Sequence, residues 1–123
     1  MKKNTQDGQA LLTFLIFVLI SLTITSAASV VSVINSQSSE KIEQGTVATQ
    51  AAESGAENAL LRLLRDPSYT GETLAIGTSS IVITISGSTI TAVATNGNFQ
   101  RQIQVVTSYT NNVLTITSWK ELF

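Results

Sequence analysis

The chain has no cysteine and no histidine. Without cysteine there are no disulfides and no thiolate chemistry. Without histidine the commonest general base and transition-metal ligand is missing. Charge is also scarce, at 12% of 123 residues, and between Asp7 and Glu40 there is none. The net charge is −1, and no basic cluster follows Lys2 and Lys3, so nucleic acid has no electrostatic footprint. Glu53 and Glu57 read as a solvated helix face rather than a catalytic pair, since no acid partner or pocket accompanies them. Asn96, Asn98, Asn111 and Asn112 lack the carboxylates of a calcium site and read as turn residues. No enzymatic activity, metal or cofactor is expected.

Proline is nearly absent too. The sole proline is Pro67, so nothing sterically interrupts a helix from about Ala10 to Arg65. Such a helix would be roughly 80 Å long. Its first half, 9–34, is apolar and exceeds the ~20 residues that cross a bilayer. Lys2 and Lys3 ahead of it place the N-terminus in the cytoplasm and the remainder outside, by the bias of positive residues to the inner side. From Ser21 to Ser39, 14 of 19 residues are serine or β-branched, a poor helix composition in water. In lipid the helix still forms, because the backbone has no other partner. Ser21, Thr25, Ala28, Ser32 and Ser36 recur at helical spacing. They mark either a face for close helix approach or the exit toward the outer interface.

From 35 to 66 the pattern turns amphipathic. Ala48, Ala52, Gly55 (or Ala56), Ala59 and Leu63, with Leu60 and Leu64, form an apolar face. Gly45 and Gly55 each cost about 1 kcal/mol against alanine in a helix, which points to close contact or a bend. Residues 67–80 read as a linker, and 81–123 as a four-stranded antiparallel meander. Gly87-Ser88, Asn96-Gly97 (type I′) and Asn111-Asn112 are its turns. On the last strand the inward face is either Leu114 and Ile116 or Val113 and Thr115, with the first pair favoured. Trp119 either packs over the sheet edge or meets another subunit. The fold class expected is α+β, a long N-terminal helix with a transmembrane and an amphipathic half, packed on that sheet.

Three fates of the N-terminus share one orientation. It is a permanent single-span anchor, or a signal peptide cleaved after Ser26-Ala27-Ala28 to leave Ser29, or a short leader, 1–8, ending at Gly8. The third rests on more than the glycine. The stretch Gly-Gln-Ala-Leu-Leu-Thr-Phe-Leu-Ile-Phe-Val-Leu and the later Ala51-Ala52-Glu53-Ser54-Gly55 resemble the N-terminal region of type IV pilins and pseudopilins, in particular PilX-type minor pilins. The resemblance covers about half the chain. It implies cleavage between Gly8 and Gln9 by a prepilin peptidase, storage in the inner membrane among lipid, and assembly with other pilin subunits by a pilus assembly machinery into a cell-surface homo- or hetero-filament. It also implies a helix-plus-sheet head. Most major pilins carry glutamate five residues into the mature chain. Here that position is Thr13, which points to a minor subunit.

Overall fold

The computed structural model describes residues 6–123. The chain divides into two units, Met1–Glu40 and Lys41–Phe123. One helix, α1 (Gln6–Arg65), is followed by five strands: β1 (Gly71–Ile76), β2 (Ser79–Ser86), β3 (Thr89–Asn96), β4 (Phe99–Thr110) and β5 (Val113–Leu122).

The end of α1 follows from its sequence. Pro67 cannot continue the helix. The Asp66 N–H donates to the Arg62 carbonyl at 2.8 Å, and the Asp66 carboxylate accepts from the Ser68 N–H and hydroxyl. These bonds favour the carboxylate form and hold the Asp66 pKa below its ordinary value. Arg62 and Arg65 occupy the last turn, where cations suit the helix dipole.

The sheet is an antiparallel meander in chain order. It has five strands, not four, because β1 lies inside the segment expected to be a linker. Turns of two residues join the strands, and the first residues of the first three, Gly77, Gly87 and Gly97, fall ten apart, each with φ near +58°. The third turn is Gly97-Asn98, one residue later than expected. Asn98 does not have positive φ, so this is the type II′ pattern rather than type I′. Asn96 is therefore not a turn residue. It ends β3, is buried, and its amide donates to the hydroxyls of Thr78 (3.2 Å) and Ser79 (3.0 Å), tying β3 to the β1–β2 turn. Asn111 and Asn112 both have positive φ and form the type I′ turn before β5.

Within Lys41–Phe123, the alanine face of α1 lies on one side of the sheet. Ala51, Ala52, Ala56 and Ala59 are buried against Ile81 and Ile83 of β2, Ile90, Ala92 and Ala94 of β3, and Ile103 and Val105 of β4, and Ala48 one turn earlier is buried too. Small side chains on both layers bring the helix close. Burial of Ile81, Ile90, Ile103 and Val105, the largest fully enclosed side chains, stabilises by about 2 kcal/mol each. Gly55 marks the nearest approach, since a Cβ there would sit 2.6 Å from Ile81 Cγ2. At Gly45 the same atom would meet nothing closer than 3.7 Å, so close contact explains only one of the two glycines.

One helix cannot cover five strands. The enclosed side chains come from β2, β3 and β4, whereas β5 keeps Ile116 48% and Trp119 41% exposed. The β4–β5 register shifts between Val106 and Thr107, skipping Thr117, whose hydroxyl donates to the Val106 carbonyl at 3.1 Å. This bulge reverses the alternation. Leu114 and Ile116 pair with Tyr109 and Thr107, and Trp119 and Glu121 with Val105 and Ile103, so all four share the helix side. Trp119 thus lies over the sheet's flank, half covered. Leu64, expected on the apolar face, points away and is 55% exposed.

Candidate functional site

Two surfaces carry the chemistry, one in each unit. In the first, α1 presents apolar side chains on every side. Leu11 (70%), Phe14 (65%), Phe17 (67%) and Ile24 (64%) are all exposed. The helix is long and apolar enough to cross a membrane, and none of its most apolar 18-residue window is buried. Four of its hydroxyls return to its own backbone. The Thr13 hydroxyl donates to the Gln9 carbonyl (2.9 Å), Thr23 to Ile20 (2.8 Å), Thr25 to Ser21 (2.8 Å) and Ser29 to Thr25 (2.9 Å). A hydroxyl returned to its own backbone costs little in an apolar solvent.

Gly8 and Gln9 are exposed and helical, and a Cβ at Gly8 would meet nothing. Lys2 and Lys3 lie outside the described residues. Ser21 is half-buried, while Thr25, Ala28 and Ser32 are exposed. Among the described residues of this unit, α1 is the sole regular element beside that stripe.

In the second unit the helix–sheet residues come together. Ala48, Ala52, Gly55 and Ala59 are buried and Leu63 is half-buried. A polar cluster that the sequence did not signal closes the end of this seat. Glu72 of β1 accepts through Oε1 from Arg62 Nε (2.8 Å), the Tyr69 hydroxyl (2.9 Å) and Asn58 Nδ2 (3.3 Å). The Arg62 guanidinium lies 5.8 Å from the Tyr69 ring centroid. Desolvation, reinforced by the Glu72 carboxylate, raises the Tyr69 pKa to about 12. Because Glu72 binds three donors from α1 and the segment after it, the cluster is a clamp holding β1 to the helix. The Gly-Glu-Thr-Leu run hid it, since Glu72 faces the helix where an apolar residue is the usual signal.

Between the end of α1 and β5 lies a cavity of about 260 Å³, lined by Leu63, Pro67, Gly87, Ser88, Thr107, Tyr109 and Leu114. It has neither a carboxylate nor an amine. Among the described residues no group of three Asp or Glu is placed to hold a metal ion. No family model, no curated protein and no solved structure matches this chain.

Proposed function

We propose that the chain is a structural, pilin-like subunit, held in a membrane by residues 9–34 and released into a filament in which sister helices replace lipid. One observation carries this reading: no residue in the most apolar 18-residue window of α1 is buried. Exposed apolar surface on this scale requires either acyl chains or other protein. Lipid is as apolar as leucine, so moving the helix from one to the other gains little from burial alone. An ATP-driven assembly machinery has to supply the work, and the chain itself contributes the spine.

Further support comes from the residues. The leader 1–8 ends at Gly8, whose exposure suits a peptidase, here a prepilin peptidase cutting before Gln9. Lys2 and Lys3 set the N-terminus inside and the sheet outside. Thr13 spends its hydroxyl on the Gln9 carbonyl and has no charge to offer a neighbour's N-terminal amine, as a minor subunit can tolerate. The Ser- and Val-rich stretch 21–39 is the segment expected to loosen when α1 leaves lipid.

N-terminal sequencing of the mature protein from the membrane fraction tests the reading. A start at Gln9 is expected. Retention of Met1 indicates a permanently anchored single-pass protein with a β-rich binding domain, and a start at Ser29 a secreted one.

A further inference from the structure

The side of the sheet turned away from α1 has an unusual chemistry. Among the described residues four charged side chains lie in strands, and of these Glu72, Arg101 and Glu121 share the helix side with Ile83, Ala94 and Ile103, their register partners. Only Lys120, on the edge strand β5, falls on the open face. The centre of that face is the register row Val82, Val93, Gln102, flanked by threonine, serine and glutamine. Val82 is 47% exposed. A water-facing sheet ordinarily presents charges of both signs. Here the charges of the head lie almost wholly on the other side.

We propose that this open face is a self-recognition surface, on which a second copy of the same chain docks face to face. At a two-fold axis each side chain near the axis meets its own kind. An ammonium or a carboxylate there repels its copy. Hydroxyls and carboxamides each carry both a donor and an acceptor, so each can bond to its own copy. Every polar group at the centre of this face is of that second type, and Lys120 stands at the margin. Valines at the middle add apolar area without a desolvation cost.

The size also fits. Five strands at about 4.8 Å spacing and eight residues at about 3.4 Å rise give a face of roughly 600 Å². Two such faces bury about 1,200 Å², the lower end of specific protein–protein interfaces. Sheets packed this way align at about 30° to each other. The proposal concerns the head alone and does not depend on where residues 9–34 reside.

Single-cysteine cross-linking of the full chain in detergent tests it, since the native chain offers no competing thiol. Val93→Cys at the centre of the face and Glu57→Cys on the exposed side of α1 are each treated with a short bis-maleimide. Val93→Cys is expected to form covalent dimer with about tenfold higher yield than Glu57→Cys. Adding Thr91→Lys to Val93→Cys places like charges across the axis and should return the yield to the Glu57→Cys level, a loss of about tenfold. An unchanged melting midpoint for both variants establishes that the head stays folded. Equal yields at Val93 and Glu57, or a dimer indifferent to Thr91→Lys, overturn the proposal. So does a head that stays monomeric at every outer-face position while binding a saccharide or another protein.

Discussion

The two halves of α1 solve one problem in opposite ways. Residues 41–65 hide alanine and glycine against a sheet, so the fold itself completes their helix. Residues 9–34 expose leucine, isoleucine and phenylalanine all round. The bulkier half is the bare one. Small residues are what a helix needs to approach a sheet closely. Large ones are what it needs to fill a fluid apolar surrounding. Side-chain size, more than hydrophobicity, separates the half that belongs to the head from the half that belongs to its environment.

Substitutions that interchange the demands of the halves break the contrast most sharply. Gly55→Val drives a branched side chain into Ile81, which is fully enclosed and cannot yield. Loss of about 3 kcal/mol of head stability is expected by denaturant unfolding of the full chain in detergent. The membrane partition of the same variant should not change. The converse is Leu19→Arg. It is expected to cost about 2.5–3 kcal/mol of membrane insertion, read as the fraction recovered with membranes, while leaving head unfolding untouched.

Smaller changes sharpen the account of the seat. Glu72→Ala removes the shared acceptor of Arg62, Tyr69 and Asn58. Because Arg62 is half-exposed, the expected loss is only about 1 kcal/mol, seen first as faster amide exchange in β1. Gly45→Ala should do the reverse and stabilise by up to about 1 kcal/mol, since the added methyl finds ordinary contacts. The smallest effect is alkaline. Tyr69 is protonated more strongly in the fold than when unfolded, at about 12 against 10.0. Its contribution is complete below pH 10 and is lost as pH climbs toward 12, so thermal unfolding should drift downward across that window. Tyr69→Phe should flatten the drift.

Much of this was legible in the residues because it depends on periodicity. The charge gap fixed the apolar half, Pro67 fixed the stop, and the alternating isoleucines marked β2. The alanine spacing located the seat of α1. What escaped depends on side chains acting against type. Strand β1 inserts a glutamate where an apolar residue signals burial, and only the ten-residue spacing of Gly77, Gly87 and Gly97 betrays the turn after it. Asn96 resembles half of an Asn-Gly turn, yet its amide is committed to Thr78 and Ser79. The β5 bulge at Thr117 leaves no trace in a pattern of alternating threonines, so the shared side of Ile116 and Trp119 could not be read from spacing.

Solvent accessibility along α1 tests the contrast most directly. Single cysteines at Leu15, Ile20, Val31, Thr46 and Glu57 would be probed with a membrane-impermeant maleimide on membranes carrying the full chain. The first three positions should stay unlabelled until detergent is added, and the last two should label at once. Equal labelling at all five would contradict the account, because the bare half of α1 would then be in water.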